Sequence, residues 1–376
     1  MSEPAVLGRR SLNRATLERQ LLLRRSAMPP EQALSHLVGL QAQTPHTWYT
    51  GLWARLADYA PEPTSELLGS GAIVRIPVMR STIHLLTADD AVRLRPLMEP
   101  VHERMFRSAF GRRVAGLDAA EVEKAARAVL QEGPLTFSEL GARLAAHGRS
   151  AGWGERDPQA LAQWGRTLVP LVQVPPRGQW GRSGQAAHAP AEAWLGRPLP
   201  EPFSLEHLVL RYLAAFGPAS VLDVQKWCGL TRLGEVVDEL RPRLRVFRSE
   251  DGRELFDLPD APRPDAETPA PVRFLYDFDN LRWSYADLDR LVTVDLREHG
   301  FTAANGLDPG LVLLDGFAAG GWRINVRRRT AVLHVRPFRR LSGADEAAMR
   351  AEAEALLEFY APAAAERAVE VGPPSG

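Results

Sequence analysis

Two glutamines close to the N-terminus are the residues whose type and spacing could do chemistry. They stand in the run Leu40-Gln41-Ala42-Gln43-Thr44-Pro45, where a short apolar helix is expected to end. If the backbone there is extended, residues two apart point to the same face, so Gln41 and Gln43 would lie side by side. Two neutral amides can hold a water molecule or a sugar between them. The alternative is that both glutamines cap a helix or lie on a solvated loop.

A repeated pattern further along the chain predicts the elements around this pair. The segments Gly133–Leu140 and Gly217–Val224 align, with Pro after Gly in each and with Thr136 or Ser220 three residues before an acid. That spacing is the capping-box signature of a helix start. The pattern predicts three helices in each copy: 119–131, 138–146 and 158–168 in the first, and 205–216, 222–228 and 233–240 in the second.

An extended segment with a turn follows the third helix of each copy. The turns are expected at 175–178 and at 250–252, and Asp251-Gly252 between apolar residues is a strong hairpin signal. Three helices followed by a hairpin make a winged helix. The N-terminal third fits the same order, with helices at 14–25, 30–40 and 48–58, a wing at 73–86 and a linking helix at 89–111.

The C-terminal part has a different pattern. A Pro/Asp-rich linker at 260–271 precedes a strand at 311–316, a hairpin around Arg327-Arg328-Arg329 and a helix at 345–360. The sequence therefore predicts an α+β fold of three tandem winged helices with a C-terminal hairpin and helix that pack on the third. The expected divisions are 1–115, 116–200, 201–260 and 261–376.

The charge composition limits the possible partners. The chain has 46 Lys and Arg against 46 Asp and Glu, so its formal net charge is zero and no global field attracts nucleic acid or membranes. Any contact with DNA must come from local clusters of charge. Lys124 and Lys226 are the only lysines, and the arginine fork suits bidentate phosphate contacts. A GC-rich coding sequence explains the arginine content equally well.

Several kinds of protein are excluded or disfavoured. The single cysteine, Cys228, rules out a disulfide within the chain and disfavours a cysteine zinc site. The nine histidines show no paired metal spacing, so we expect neither a metal nor a cofactor. No secretory signal and no 18-residue apolar run are present. The sequence predicts a cytoplasmic monomer without a membrane contact.

Basic residues on the predicted wings are candidates for DNA binding. His84 could contact a phosphate or orient Gln41, although a wing histidine can equally be satisfied by a neighbouring backbone carbonyl. Arg80 is a further candidate on the first wing, and Arg177 and Arg182 flank the second. Arg327, Arg328 and Arg329 could enter a minor groove or hold the phosphate backbone, or they form a solvated turn.

Four segments resemble the AlkZ/YcaQ-like winged-helix DNA glycosylases, and the resemblance covers nearly the whole chain. The segments are Gly39–Pro45, Arg80–His84, Trp180–Gly184 and Asp315–Arg323. The resemblance implies a C-shaped cleft for duplex DNA and a catalytic Gln-x-Gln or Gln-x-Asp motif, which falls on Gln41 and Gln43. Glutamine at the second position resembles the AlkZ branch, which is linked to self-resistance against the crosslinking antibiotic azinomycin B.

Two amides suit one class of damaged DNA. A glutamine is a poor proton acceptor near neutral pH, so neither residue can be a strong general base. A purine alkylated at N7 carries positive charge and is already an activated leaving group. The enzyme then has to position a water and stabilise an oxocarbenium-like sugar with dipoles. The resemblance therefore implies a monofunctional glycosylase for alkylated purines or interstrand crosslinks in duplex DNA.

Two other functions remain compatible with the sequence. A winged-helix regulator would bind DNA without catalysis, but the predicted third helices carry few base-reading side chains, and 233–240 is acidic. A drug-sequestering resistance protein would need a closed apolar pocket and no DNA. A test of whether protection against the drug requires DNA separates a sequestering protein from an enzyme.

Overall fold

The computed structural model describes residues 4–301 and 309–375. Its fold is mixed α+β, and the described strands form sheets of three, six and five strands. Among the described helices, none is long and apolar enough to cross a bilayer.

The N-terminal part is built mainly of short helices around two strands that carry the site. Its elements are β1 (Val6–Leu7), α1 (Arg9–Arg19), α2 (Pro30–His36), β2 (Leu40–Gln41), α3 (Trp48–Trp53), α4 (Pro61–Ser70), β3 (Ile73–Pro77), β4 (Ile83–Thr87), α5 (Ala88–Leu94) and α6 (Glu99–Phe110). The first helix begins earlier than the predicted 14–25. It also ends earlier, because Leu21 adopts a left-handed φ of 58° that no helix can contain. The predicted linking helix is interrupted by a 3₁₀ turn at Pro96–Met98, since proline lacks the N–H that a helix interior needs.

The second and third parts begin with the predicted helices. Their elements are α7 (Ala119–Leu130), β5 (Leu135–Thr136), α8 (Phe137–Ser150), α9 (Pro158–Leu168), β6 (Leu171–Gln173), β7 (Ala187–Pro190), α10 (Ala191–Leu195), α11 (Leu205–Phe216), α12 (Val221–Cys228), α13 (Gly234–Leu240), β8 (Arg245–Ser249) and β9 (Glu254–Asp257). Both capping boxes are confirmed, one between Thr136 and Glu139 and the other between Ser220 and Asp223. The hairpin around Asp251-Gly252 is also confirmed.

One sheet joins the first and second parts. Its strand order is β2-β4-β3-β6-β7-β5, and β3 meets β6 where Arg75 pairs with Gln173. The predicted turn at 175–178 is present, but it is not the tip of a short hairpin, because β6 ends at Gln173 and its partner β7 begins only at Ala187. The intervening loop, residues 174–186, packs instead on the N-terminal part.

The C-terminal part supplies the five-stranded sheet. Its elements are β10 (Arg273–Leu275), β11 (Gly310–Leu314), β12 (Phe317–Arg327), β13 (Thr330–Pro337), α14 (Gly343–Tyr360) and β14 (Glu366–Val371). The hairpin around Arg327–Arg329 and the final helix are confirmed. Two tyrosine bonds hold the segment after β10 to α11: Tyr212 donates to Ser284 O at 2.6 Å and Tyr285 donates to Phe216 O at 2.8 Å.

Candidate glutamine site

The backbone of Gln41 is held from both sides. On one side β2 pairs with β4, with Gln41 opposite His84. On the other side the Tyr276 hydroxyl donates to Gln41 O at 2.8 Å. The Asn280 side chain accepts from Gln41 N at 3.1 Å and donates to Gly39 O at 2.7 Å. Side chains therefore replace a neighbouring strand and fix the position of the motif.

A buried ion pair holds the segment 276–280 that carries these side chains. Arg55 donates to the two carboxylate oxygens of Asp279 at 2.8 Å each, and neither side chain is exposed. Sequence reasoning assigned no role to this segment. In the sequence the segment shows a run of polar and aromatic residues after the Pro-rich linker, and Leu275–Asn280 is similar in part to a segment of the glycosylase family that the chain resembles.

The two glutamine side chains lie in different surroundings. Gln41 is buried, and its Oε1 accepts from Arg80 Nη2 at 2.8 Å. Gln43 is exposed, and its Oε1 accepts from Ile83 N at a long 3.4 Å. Both amide oxygens are therefore directed at the segment 80–83 between β3 and β4. One amide is fixed, and the other is free to meet a ligand.

A second buried arginine lies next to Ala42, the residue between the glutamines. Arg75 donates from Nη2 to Ala42 O at 2.7 Å, and within the described residues its Nε and Nη1 have no partner. Burial lowers the pKa of Arg75 to about 10, and the nearby Arg177 contributes to this lowering. The guanidinium therefore stays charged at neutral pH and adds positive potential behind the motif.

The position of His84 corrects its proposed role as a DNA contact. The ring is buried, and its Nδ1 bonds Thr82 O at 2.9 Å. Burial and the Arg80 charge lower the pKa of His84 to about 3, so the ring is neutral under ordinary conditions. At 1% exposure His84 presents little surface to a phosphate, which argues against a direct contact with DNA. The alternative of a histidine satisfied by a neighbouring carbonyl describes it correctly.

The low pKa of His84 predicts acid sensitivity of the fold. The unfolded chain takes up a proton near the ordinary value of 6.5, whereas the folded chain resists protonation down to about pH 3. Between pH 6.5 and pH 3, His84 should therefore lower the free energy of unfolding by about 1.4 kcal/mol for each pH unit of acidification. His84→Gln should remove this component in urea titrations at several pH values. Exposed His147→Gln is the control, and an equal slope in His84→Gln and the wild type would contradict the prediction.

The other arginines predicted to bind DNA differ in accessibility. Arg80 is engaged by two protein acceptors, Gln41 Oε1 and Trp227 O, so it does not present a free guanidinium. Arg177 is half-buried and donates to Gly184 O at 3.0 Å, whereas Arg182 is exposed. For Arg182 the phosphate contact stays a prediction.

Hydrogen bonds hold the loop 174–186 against the N-terminal part. Tyr49 donates to Gly178 O at 3.1 Å, Trp180 N donates to Ser65 Oγ at 3.1 Å, and His46 Nε2 bonds Gln179 O at 3.1 Å. The Trp180 ring also packs on Phe359 of α14, with centroids 5.5 Å apart. The N-terminal, second and C-terminal parts of the chain therefore meet at this loop.

A cavity lies between the segment that follows the glutamine motif and strand β12 of the arginine hairpin. Its volume is about 380 Å³, and its walls include Thr44 and Asp277 on one side and Trp322 and Asn325 of β12 on the other. Thr44 donates to Asp277 Oδ2 at 2.6 Å. Arg327, Arg328 and Arg329 at the hairpin tip are all exposed. The cavity therefore lies beside Thr44, one residue after Gln43, and reaches Asn325, two residues before the hairpin tip. Among the described residues no group of His, Cys, Asp and Glu could hold a metal.

Comparisons with known proteins identify the family of this chain. The sequence model of the family "DNA glycosylase AlkZ-like" matches residues 34–359. The fold is similar to the solved structure of Streptomyces sahachiroi DNA glycosylase AlkZ, with a TM-score of 0.75 and 20% identity over 98% of this chain and 100% of that chain. No curated protein sequence matches significantly. Because the family model spans most of the chain and includes the glutamine motif, the protein belongs to the AlkZ-like family of DNA glycosylases, enzymes that act on N-glycosyl bonds.

Proposed function

We propose that the protein is a monofunctional glycosylase that hydrolyses the N-glycosidic bond of N7-alkylated purines in duplex DNA. The observation that carries the proposal is the pairing of two uncharged amides on one short segment, with Gln41 fixed by Arg80 and Gln43 exposed. The pair can hold an attacking water and place dipoles beside the sugar, which is sufficient when the departing base is already cationic. Neither amide has to accept a proton fully.

The proposed reaction balances without a cofactor. The C1′–N9 bond breaks and its electron pair passes to the cationic purine, which leaves as a neutral alkylated base. The water oxygen bonds to C1′, and the excess proton passes to solvent. The product strand carries an abasic site and stays intact. Gln41 and Gln43 stabilise the sugar cation and the water between these two events.

An open site favours bulky substrates. Gln43 is exposed rather than enclosed, and a cavity of about 380 Å³ lies next to it, between Thr44 and β12. We therefore propose that the substrates include bulky adducts or interstrand crosslinks of a genotoxic natural product such as azinomycin B. Two successive hydrolyses would unhook a crosslink, and the biological role would be base excision repair for self-resistance.

The proposed DNA interface uses the tandem architecture. We propose that the divisions 1–115, 116–200 and 201–260 are winged helices, and that with 261–376 they form a C-shaped cleft around the duplex. The helix order and the paired strands support this interpretation. The protein would act in the cytoplasm as a monomer.

The arginine hairpin should contribute through phosphate contacts. Replacing Arg327, Arg328 and Arg329 by glutamine is expected to weaken binding to undamaged duplex and to reduce the slope of log Kd against log salt by about 0.9 for each phosphate that an arginine neutralises. Fluorescence anisotropy at several salt concentrations measures the slope. The matched control replaces Arg107, Arg143 and Arg232, which pair with glutamates. An unchanged slope in the hairpin variant would show that the tip is merely a solvated turn.

Base release from defined DNA tests the function itself. An excess of protein is incubated with duplexes that contain N7-methylguanine, a bulky N7-guanine adduct or an N7–N7 crosslink. Mass spectrometry is expected to detect the free alkylated base, and strands should break only after alkali. Tight binding without release from any of the three duplexes would instead support a regulator. If the protein instead protects against the alkylating drug in a way that requires no DNA, the result would support drug sequestration.

A further inference from the structure

The arginine that contacts Gln41 lies in a strained turn. Arg80 and Ser81 have φ of 53° and 61°, although neither is glycine. Consecutive left-handed residues of this kind cost free energy and persist only where the surroundings enforce them. Here Ser81 Oγ bonds His102 Nδ1 at 2.9 Å, and Gly229 packs directly on the Arg80 backbone. Contacts from α6 and from the end of α12 therefore hold the turn that presents Arg80.

The Arg80 guanidinium connects the third part of the chain to the motif. Its Nη1 donates to Trp227 O in the last turn of α12, and its Nη2 donates to Gln41 Oε1 at 2.8 Å. The carbonyl end of a helix carries partial negative charge, which suits a cation. Among the described residues no carboxylate pairs with Arg80. Burial lowers the pKa of Arg80 to about 10, so it remains a cation at neutral pH.

This contact determines which end of the Gln41 amide is free. A guanidinium has donors only, so its partner must be the amide oxygen and not the nitrogen. The amide nitrogen has no protein partner in the described part of the chain and is not sealed from solvent. A cation on the oxygen also draws electron density from the amide N–H bonds and makes them stronger donors.

We propose that Arg80 is a positioning residue that fixes Gln41 as a hydrogen-bond donor to the attacking water. One Gln41 N–H holds a lone pair of the water, while the free lone pair of Gln43 Oε1 accepts one of its protons. The second lone pair of the water is then aimed at C1′. The two glutamines therefore have different tasks. This inference rests on the proposed glycosylase function.

Kinetics of Arg80 variants test the proposal. Arg80→Met should lower the single-turnover rate of base release by roughly ten- to a hundredfold, the range expected when one hydrogen bond from a charged donor is removed. The Kd for undamaged duplex should change by less than about twofold, since Arg80 presents no free donor to DNA. Arg80→Lys, which keeps the charge, should recover part of the rate. Arg104→Met is the control, because Arg104 is exposed and donates to the adjacent carbonyl of Gly229 at 2.7 Å.

An NMR measurement that does not depend on catalysis completes the test. It is also made on any variant whose melting temperature is lowered. In protein labelled with ¹⁵N-glutamine, the side-chain amide signal missing from Gln41→Ala identifies Gln41. That signal should shift in Arg80→Met, shift less in Arg80→Lys and stay in place in Arg104→Met. An unmoved signal, or an effect confined to DNA affinity, would overturn the proposal. Full activity of Gln41→Ala would instead overturn the catalytic role of the motif.

Discussion

Replacing Gln41 and Gln43 together by alanine is expected to lower the single-turnover rate of alkylated-base release by about 10²–10³-fold. This fold-change is typical of the loss of an oxyanion-hole donor, a preorganised dipole aimed at developing negative charge. Here the dipoles are aimed at the developing positive charge of the sugar. The assay uses N7-methylguanine duplex with excess protein. Exposed Gln131 and Gln159 of the second part, replaced together by alanine, provide the control. A double variant as fast as the wild type would refute the motif's role.

The single variants should differ in stability as well as in rate. Gln41→Ala leaves the half-buried Arg80 donor without its partner, which should cost about 1–3 kcal/mol of unfolding free energy. Gln43 is exposed and makes only a 3.4 Å contact, so Gln43→Ala should change that free energy by less than about 0.5 kcal/mol. A lower rate in Gln43→Ala is therefore attributable to chemistry rather than to folding.

Asp279→Asn should destabilise the protein more than any surface substitution, by about 3–5 kcal/mol of unfolding free energy. Arg55 and Asp279 are both fully buried, and asparagine would leave the guanidinium charge without compensation. Urea unfolding measures the change, and Asp289→Asn, the same change at an exposed position ten residues on, is the control. A destabilisation below about 1 kcal/mol would mean that water or rearrangement compensates Arg55.

The same substitution should also reach the glutamine motif. Asp279 holds the segment whose Tyr276 and Asn280 side chains bond the backbone of Gln41 and Gly39. Base release by Asp279→Asn should therefore decline at temperatures below its melting transition. The Asp289→Asn control has no connection to the motif and should keep its rate.

The sequence by itself determined the local elements of this protein. Capping boxes at Thr136 and Ser220 and the Asp251-Gly252 hairpin depend on residues within three or four positions of one another, so short windows contain the whole interaction. The break at Pro96 was also readable in principle, because proline acts on its own turn. Glutamine spacing and the resemblance together placed the candidate site at residues 41 and 43.

Only the tertiary structure decided what surrounds that site. The partners of Gln41 come from 39 residues away for Arg80, 235 for Tyr276 and 239 for Asn280. No local preference brings such residues together, because the contacts of Tyr276 and Asn280 depend on how the five-stranded sheet packs against the six-stranded one. Packing also buried His84 and paired Arg80 with protein acceptors, which turned two expected DNA contacts into internal ones. Burial and long-range hydrogen bonding are properties of the assembled chain, whereas periodicity and capping are properties of its segments.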